Sequence, residues 1–580
     1  MQIQRRYFVL LLGFALLFSG TLLTWEINTN MGTTQIANVQ FSTAEGVRIF
    51  GRLYVPAMAS PGDPIPGVLI IHGFSSSKEG MMAFNVELAR HGFVVLAIDV
   101  EGHGYSDPGI DISADRGAQA GLEYLFSLPY VDSLGIIGHS MGAWMAVDVL
   151  NSTTIPVQAT VLVGGGVDAP YGILGANSTY PQNLLIAIGR FDEIFYGTDI
   201  PTILAQSFGV IPPVIVGHTY GNITEGSGRR LILPPTNHLF EMMDPIIVAE
   251  SVQWLTTCLN NETPPLILPG FQIYPLYFVG EVLATIGLLL TVFPLLLLLL
   301  KLQPLISLSE PPNSSYAVKK SRYWKFGTLY GAIGLGLFLP FLLVGVILQF
   351  VFLFPQVFAP AIGVWLLGSA GVSMIFLRYI LRRTKETTPT WNDLGGFAEP
   401  RKEFFHLLAL SGITAFLVIL WIYLWALPFN ILFHINFQIL FPIFKPLTPL
   451  RTLFVPVYLL FAIPFFLIEG VWLIGFLRVA TKFTWIKTQT TWTVHATFIK
   501  TIPYITLVGL QFFIAYVFGA LLFPGFIGFM LLFMIGFIPL FLLTPTILAW
   551  SYRISNRIYI GALICALILA WSLAATFPFL

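Results

Sequence analysis

Apolar runs long enough to cross a lipid bilayer are the feature that most restricts what this 580-residue chain can form. One run covers Tyr7 to Trp25, and about eight more occupy most of residues 271–580. About 20 apolar residues in a helix cross a hydrocarbon core of roughly 30 Å. Because hydrophobic residues make up 56% of the chain and charged residues only 10%, much of it is expected to lie in lipid. Residues 26–270, by contrast, have the composition of a soluble domain.

The remaining candidate spans lie at 274–300, 327–354, 357–381, 405–433, 453–477, 501–523, 525–550 and 559–579. With a cytoplasmic N-terminus, the crossings place the loops near 301–325, 378–402, 478–500 and 551–558 in the cytoplasm. Of the 29 Lys and Arg residues, 8 lie in the soluble segment, 2 (Lys445 and Arg451) lie in outer loops, and 19 lie in cytoplasmic parts. Because cytoplasmic loops are rich in Lys and Arg, this distribution predicts a multi-pass protein of the cell membrane, with residues 26–270 on the extracytoplasmic side.

The first apolar run has two interpretations. It follows Arg5 and Arg6, as the core of a signal peptide also would. However, it is longer than the usual core of about 7 to 15 residues, and no clear small-x-small cleavage site follows it. An uncleaved anchor is therefore favoured over a cleaved signal peptide, and both place the soluble segment across the membrane.

Charge and cysteine content exclude several classes of protein. The formal net charge is +0 and no basic stripe is present, so no nucleic-acid partner is expected. The 2 cysteines, Cys258 and Cys565, are too few for a disulfide framework. The sequence shows neither a metal-binding cluster nor a phosphate-binding loop, so no metal and no cofactor are predicted. Four Asn-x-Ser/Thr motifs would permit glycosylation outside the cell, at Asn151, Asn177, Asn222 and Asn261.

Short β-rich runs alternate with helical patterns from Asn38 onward, which predicts an α/β domain with a mostly parallel sheet. Strands are expected at 38–43, 47–55, 67–71, 93–99, 134–137, 159–163, 184–188 and 230–233. Helices are expected at 78–91, 113–128, 143–150 and 246–259. The stretch after the last helix is polar and rich in proline, which is typical of a linker.

A G-x-S-x-G pattern joins one of these strands to the helix that follows it. It consists of Gly138, His139, Ser140, Met141 and Gly142. Small residues at both ends let the strand and the helix approach closely around a strained turn, so that the serine hydroxyl projects from the sheet edge. The pentapeptide is short, and its setting between strand and helix is what makes Ser140 the candidate nucleophile.

A serine nucleophile needs a base, and the base needs a carboxylate to orient it, in the chain order serine, acid, histidine. Asp192 lies just past the strand at 184–188, and its short distance from the strand end favours it over Glu193 and Asp199. His238 follows the last strand and is the natural base. The sequence therefore predicts a catalytic triad of Ser140, Asp192 and His238.

Two backbone groups are expected to form an oxyanion hole beside this triad. They are the N–H of Met141, directly after the nucleophile, and the N–H of Phe74, in the loop after the third strand. Four further histidines of this segment do not follow the last strand, and bracing of loops is their preferred interpretation. His139, next to the nucleophile, is expected to line the pocket. The four histidines are His72, His103, His139 and His218.

Four motifs occur in a fixed order between residues 47 and 259. They are the turn His72, Gly73, Phe74; the stretch Asp99–Asp107 with Gly102, His103, Gly104 and Ser106; the Ser140 elbow; and the acid and base at Asp192 and His238. Together they resemble α/β-hydrolases of the serine aminopeptidase, monoglyceride lipase and dienelactone hydrolase type. The resemblance implies an acyl-enzyme mechanism: His238 deprotonates Ser140 as it attacks a carbonyl, then protonates the leaving group, and water completes the reaction. The membrane region resembles no family that we recognise.

The predicted organisation is an N-terminal transmembrane anchor (1–25), an extracytoplasmic α/β-hydrolase domain (38–260), a linker (261–273) and a membrane domain of about eight helices (274–580). Only about 16 residues separate the strand ending near Gly166 from the one starting near Leu184. No large cap is expected there, and the site is expected to be open.

The expected function is a membrane-anchored serine hydrolase of the esterase, lipase or peptidase kind, acting on ester or amide bonds. Its partners would be membrane lipid and a small-molecule, lipid or peptide substrate. One alternative is an acyltransferase with the same triad. Another is a transporter or receptor whose hydrolase-like domain only binds a ligand. Glu281 and Glu469, inside predicted spans, are candidates for a transport role, against simple pairing with a neighbouring helix.

Overall fold

The computed structural model describes residues 2–109, 115–169, 171–260, 267–309, 318, 320–383, 389–396, 400–439, 441–477 and 489–579. The glycosylation motif at Asn261, part of the predicted linker, the first residues of the helix at 113–128 and much of the predicted cytoplasmic loops lie outside the described residues. The chain forms two compact units that are discontinuous in sequence. The membrane unit comprises Met1–Thr21, Glu281–Leu510 and Met530–Ala575, and the catalytic unit comprises Leu22–Gly280, Gln511–Phe529 and Thr576–Leu580.

The catalytic unit is built on one nine-stranded sheet. Its strands are β1 (Thr34–Ser42), β2 (Arg48–Pro56), β3 (Ile65–Ile71), β4 (Val94–Asp99), β5 (Val131–His139), β6 (Ala159–Val163), β7 (Leu184–Ala187), β8 (Thr219–Tyr220) and β9 (Arg229–Ile232). Their order across the sheet is β1-β2-β4-β3-β5-β6-β7-β9-β8. The six strands from β4 to β9 in this order run parallel, and the antiparallel pairs lie at the two edges.

This topology places the carboxyl ends of β5, β7 and β9 at one edge of the sheet. The nucleophile, acid and base predicted from the sequence each follow one of these three strands. Open α/β sheets bind ligands at that edge because the loops leaving parallel strands meet there. The predicted α/β-hydrolase fold with a mostly parallel sheet is confirmed.

Residues on the central strands alternate between two apolar layers. Leu69 of β3 and Leu96 of β4 pack in one buried cluster, whereas their neighbours Val68 and Val95 pack in another. A strand sends successive side chains to opposite faces, so a strand buried on both faces is apolar at every position. This is why the strands appear in the sequence as continuous apolar runs.

Helices cover the two faces of the sheet. They are α1 (Gln2–Asn28, of which Leu22–Asn28 belongs to this unit), α2 (Met82–Arg90), α3 (Ala118–Phe126), α4 (Met141–Ser152), two single turns α5 (Ile200–Ile203) and α6 (Ala205–Phe208), and α7 (Pro245–Leu259). Each of the eight predicted strands is present, with ends displaced by a few residues. The short β8 and the turns α5 and α6 were not predicted, because elements of two to four residues are too short to show a periodic pattern.

Long apolar helices make up the membrane unit. They are α8 (Tyr274–Leu299), α9 (Lys320–Phe352), α10 (Ala359–Arg383), α11 (Arg401–Phe433), α12 (Pro449–Glu469), which continues as a π-helical stretch at Gly470–Phe476, α13 (Gln489–Phe518), α14 (Gly525–Ser555) and α15 (Tyr559–Thr576). A two-stranded ribbon, β10 (Phe437–Ile439) and β11 (Phe441–Phe444), joins α11 to α12. Counting α1, nine helices within the described residues are long and apolar enough to cross a membrane.

The span predicted at 501–523 differs from the helix that forms. Helix α13 begins at Gln489 and ends at Phe518, so Lys500 lies inside it and not in a loop. Its ammonium group forms an ion pair with Glu469, and both side chains are almost fully buried. The hydroxyl of Tyr330 donates a further hydrogen bond to Glu469 at 2.8 Å. A lysine next to an apolar window predicts a loop boundary, whereas a buried counter-charge allows Lys500 to remain in the span.

Both candidate acidic residues of the membrane unit have partners on other elements. Glu469 pairs with Lys500, as described above. Glu281 accepts hydrogen bonds from the amide nitrogen of Gln438 at 2.7 Å and from the backbone N–H of Asn436 at 3.3 Å. These contacts favour pairing between elements over a transport role for the two carboxylates.

Glu469→Leu is expected to lower the thermal stability of the protein, because it leaves the buried ammonium group of Lys500 without a counter-charge. Removing one partner of a buried ion pair costs about 3–5 kcal/mol, whereas replacing both partners by apolar residues is often neutral. The double variant Glu469→Leu/Lys500→Met should therefore regain most of the lost stability. Thermal unfolding in detergent measures both effects, and a single variant as stable as the wild type would contradict the structural importance of this pair.

Candidate active site

Ser140 occupies a sharp turn between β5 and α4. Its backbone has φ 53° and ψ −122°, which lies outside the regions that residues other than glycine usually adopt. The turn is tight on both sides: a Cβ on Gly138 would lie 2.2 Å from the carbonyl oxygen of Gly142, and a Cβ on Gly142 would lie 2.4 Å from the carbonyl oxygen of Ile71. The backbone N–H of Ser140 donates to the carbonyl of Val163 on β6 at 2.8 Å. The two glycines therefore allow the close approach, and β6 holds the turn in place.

The structure brings the three predicted triad residues together. Nε2 of His238 lies 2.8 Å from Oγ of Ser140, and Nδ1 of His238 lies 2.8 Å from Oδ2 of Asp192. All three side chains are buried, with Ser140 7%, His238 3% and Asp192 0% exposed. Since a carboxylate only accepts, Nδ1 of His238 carries the proton donated to Asp192, which leaves Nε2 free to accept the proton of Ser140.

Neither competing carboxylate occupies the position of the acid. Glu193 accepts a hydrogen bond from the backbone N–H of His238 at 3.3 Å and does not reach the imidazole. Asp199 caps the short helix α5 by accepting from the backbone N–H of Thr202. Asp192 is positioned by its own loop, because its Oδ1 accepts from the backbone N–H of Ile194 at 2.8 Å. The order of preference derived from the sequence agrees with this geometry.

Glu241 is a member of the site that the sequence did not reveal. Its side chain is fully buried, and its Oε1 accepts a hydrogen bond from the backbone N–H of Gly189 at 2.5 Å. Its Oε2 lies 3.6 Å from Nδ1 of His238 and 3.5 Å from Nε2 of His139. Gly164 leaves the space for this carboxyl, since a Cβ there would lie 1.9 Å from Oε2. Its position three residues after His238, on the same turn, is the signal by which it could have been found.

Burial and the neighbouring Asp192 raise the pKa values of two acids in this pocket, Glu193 and Glu241. Burial, followed by repulsion from Asp192, raises the pKa of Glu241 well above its ordinary value. Burial also raises the pKa of Glu193 to about 7. The raised pKa favours the protonated, neutral form of Glu241.

The pKa values of the two histidines in the pocket are shifted in opposite directions. Burial lowers the pKa of His238, but the charge of Asp192 and its hydrogen bond outweigh burial and raise the pKa above its ordinary value. Burial, reinforced by the neighbouring His238, lowers the pKa of His139 to about 3. His139 is thus neutral, and its Nε2–H points to the carbonyl of His238 at 3.3 Å. It contacts the loop that carries His238, and its expected place in the pocket lining stays a prediction.

The turn expected to supply one oxyanion donor lies against the nucleophile. A Cβ on Gly73 would lie 2.9 Å from Cβ of Ser140, so only glycine lets this turn come so close. Phe74 follows it, and Met141 is the first residue of α4, where backbone N–H groups and the helix dipole favour negative charge. The oxyanion roles of Phe74 and Met141 stay predictions.

The remaining motif residues brace these loops. Nδ1 of His72 donates to the carbonyl of Gly73 at 2.7 Å, and Nε2 accepts from the backbone N–H of Val100 at 3.2 Å. His103 packs its ring 5.1 Å from that of His72. Asp99 forms a buried ion pair with Lys78 at 2.5 Å. The bracing role proposed for these histidines agrees with their contacts, and His218 lies apart from the site against Tyr220.

The expectation of an open site is wrong. The triad residues are almost fully buried, and part of the cover comes from the segment Gln511–Phe529, which belongs to the catalytic unit. The ring of Phe529 stands edge-on to His238 with centroids 5.9 Å apart. The sequence between Gly166 and Leu184 holds no cap, but a cover far away in the chain cannot be recognised from the spacing of strands.

One group of ligand atoms in the site has spacing suitable for a metal ion. Atoms of His139, His238 and Glu241 lie within 4.8 Å of one another. Both ring nitrogens of His238 are already engaged by Ser140 and Asp192, so a metal ion there would have to break the triad. These residues fit a proton-transfer site better than a metal site. The sequence-based prediction of no metal and no cofactor stays a prediction.

Residues 68–208 match the model of a family described as the alpha/beta hydrolase family. An uncharacterised protein of Mycobacterium tuberculosis is 32% identical over 146 residues, which are 25% of this chain and 40% of that protein. The dihydrolipoyllysine-residue acetyltransferase component of an acetoin cleaving system of Cupriavidus necator is 29% identical over 160 residues, 27% of this chain and 38% of that protein. The chain thus spans about 40% of the length of these curated relatives.

Among solved structures, an esterase of Pyrococcus furiosus is 17% identical and matches with a TM-score of 0.31, over 40% of this chain and 94% of that one. A mutant epoxide hydrolase of Vigna radiata is 20% identical, with a TM-score of 0.20 over 23% of this chain and 41% of that one. The family match lies within the catalytic unit and ends before the first helix of the membrane region.

Asp192→Asn and Glu241→Gln form a matched pair that distinguishes the charged acid from the neutral one. Replacing the carboxylate that orients a catalytic histidine lowers kcat by on the order of 10⁴-fold. We expect a loss of this size for Asp192→Asn. Glu241→Gln should retain activity within about threefold, because the amide oxygen can keep the hydrogen bond from Gly189 and the substitution leaves the contact between Asp192 and His238 in place.

Steady-state kinetics on an activated ester measures both variants. Equal losses in the two would contradict the assignment of Asp192 alone as the charged partner of His238. Thermal unfolding serves as the control for folding, and it should show Glu241→Gln to be at least as stable as the wild type at pH 8.

Proposed function

We propose that the α/β-hydrolase domain matched at residues 68–208 is an extracytoplasmic serine hydrolase that cleaves carboxylic ester or amide bonds through an acyl-enzyme. The single observation that supports this most is the chain of two hydrogen bonds from Ser140 through His238 to Asp192, each 2.8 Å long. These three side chains come from loops after three different strands. Mutual orientation of this quality at the carboxyl edge of a parallel sheet is what nucleophilic catalysis by serine requires.

The proposed reaction begins with transfer of the Ser140 proton to Nε2 of His238 as Oγ attacks the substrate carbonyl. Asp192 stabilises the imidazolium that forms, and the oxyanion is directed at the N-terminus of α4 and the turn after β3. His238 then protonates the leaving group, which departs and leaves an acyl group on Ser140. Water, deprotonated by the same histidine, releases the acid and restores the serine.

An acyltransferase would use the same first half and replace water by another acceptor. Both reactions form the same acyl-serine, so the serine assignment does not depend on the choice between them. Product analysis with and without added alcohols separates the two. A ligand-binding domain without turnover is disfavoured, because each triad residue is present and hydrogen-bonded.

Ser140→Ala is expected to abolish turnover and labelling by a fluorophosphonate while leaving the fold intact, since alanine keeps the Cβ and removes only the nucleophile. We would label intact cells with a membrane-impermeant fluorophosphonate and compare wild type, Ser140→Ala and His238→Ala. Labelling of the wild type alone supports both the activated serine and its extracytoplasmic side. Labelling that appears only after permeabilisation would reverse the proposed topology. A fully active Ser140→Ala variant would refute the serine mechanism.

The pH dependence of kcat/KM should report the base. His238 must be neutral to accept the serine proton, and its pKa is raised above 6.5, so kcat/KM should rise with pH with a midpoint above 6.5. Glu193 contributes to this raised pKa through its negative charge. Glu193→Gln should therefore move the midpoint to lower pH. A profile that is flat between pH 5 and 9, or unchanged in Glu193→Gln, would contradict this account of the base.

A further inference from the structure

The segment Gln511–Phe529 joins two membrane-spanning helices and yet belongs to the catalytic unit. It comprises the end of α13, a connection at 519–524 and the first turn of α14. Its contacts reach both the loop that carries the acid and the loop that carries the base. It is therefore placed to influence what enters the site.

The acid loop is held by the start of α14. The backbone N–H of Gly525 donates to the carbonyl of Glu193 at 2.8 Å. A Cβ on Gly528 would lie 2.9 Å from Cγ of Glu193, so glycine is needed for this approach. One turn after Gly525, the ring of Phe529 stands edge-on to that of His238, with the centroids 5.9 Å apart. Positions 525, 528 and 529 share one helix face, which is the face turned to the triad loops.

The end of α13 makes corresponding contacts. The hydroxyl of Tyr516 donates to the carbonyl of Pro235 at 2.7 Å, and its ring lies 5.1 Å from that of Phe191. The ring of Phe512 lies 6.1 Å from that of Phe240. The segment is closed on itself by the amide of Gln511, which exchanges two hydrogen bonds with the backbone of Phe523 at 2.9 and 3.1 Å. These contacts make it an ordered part of the site.

The composition of the segment indicates what it contacts on its other side. None of its 19 residues is charged and 7 are aromatic, although connections between spans at a membrane surface are usually polar. Opposite the face that meets the triad loops, Phe526 is 51% and Ile527 is 42% exposed, and Phe518 and Leu522 continue this apolar crest. Exposed aromatic and aliphatic side chains at the end of two spans are suited to the interface of a bilayer.

From this geometry, and resting on the serine hydrolase function proposed above, we propose that the 511–529 segment is the acyl-binding cap of the active site. Its occupant is the long apolar acyl chain of a lipid ester drawn from the bilayer. Phe529 packs against that chain next to His238, and the crest around Phe526 meets the lipid from which the chain leaves. The apolar cap binds the chain, while Ser140 attacks the ester carbonyl at its end.

The experiment uses the full-length protein in detergent and in phosphatidylcholine vesicles, with methylumbelliferyl esters from acetate to palmitate as probes. For the wild type we expect kcat/KM to rise by at least about tenfold from acetate to laurate, since an apolar pocket gains affinity with each methylene it buries. Phe529→Ala should lower the palmitate-to-acetate ratio in both media. Phe526→Asn should lower it in vesicles, where the crest meets lipid. Phe126→Asn is the matched control, because Phe126 is also 51% exposed but lies at the far end of α3.

Three results would overturn the cap. One is a wild type that prefers acetate, another is an equal loss on acetate and palmitate in Phe529→Ala, and the third is an effect of Phe126→Asn as large as that of Phe526→Asn. In each case the wild-type protein would still hydrolyse the acetate ester and be labelled at Ser140, so the serine hydrolase function would stand. Absence of both labelling and acetate hydrolysis in a well-folded wild type would instead refute the proposed function, and the cap with it.

Discussion

The backbone of Ser140 is the constraint on which the catalytic unit depends. A non-glycine residue at φ 53° costs on the order of 1–3 kcal/mol, so the surroundings must hold it there. They do so through the bond from Ser140 to β6 and through two glycines that let β5, α4 and the end of β3 come within backbone contact. Because this turn projects the hydroxyl above the sheet edge, the loops after β7 and β9 can bring a carboxylate and an imidazole to it.

The pocket behind the triad concentrates three carboxyl groups and two histidines out of contact with water. Such groups cannot all be charged, since burial and mutual repulsion raise the pKa of an acid. The structure separates them by position: Asp192 faces the imidazole, Glu193 accepts from the backbone N–H of His238, and Glu241, whose neutral form burial favours, accepts from the backbone N–H of Gly189. His139 is kept neutral and His238 is made more basic. Groups whose pKa values are pushed apart in this way are typical of acid–base sites.

The catalytic unit is assembled from parts that lie far apart in the chain. Residues between the seventh and eighth apolar spans close over the triad, and the backbone N–H of Phe579 donates to the carbonyl of Gly102 at 2.9 Å in the turn after β4. An even number of crossings separates the hydrolase segment from each of these parts, so alternate crossing would return both to the side of the sheet. The ends of α13 and α14 and the last described residues of the chain therefore supply structure to the catalytic unit.

Local patterns in the sequence determined where the strands and the long helices lie. A strand that is buried on both faces is a continuous apolar run, and a helix that crosses a bilayer needs about 20 apolar residues in a row. The same patterns indicated Ser140, Asp192 and His238, since each follows a recognisable strand. Only the tertiary structure decided the rest. Glu241 becomes part of the site because the turn after His238 folds it back behind Asp192, and Lys500 stays within a span because Glu469 meets it there. The 511–529 segment covers the triad through contacts between residues that are hundreds of positions apart in the chain. Local sequence patterns do not show such long-range contacts.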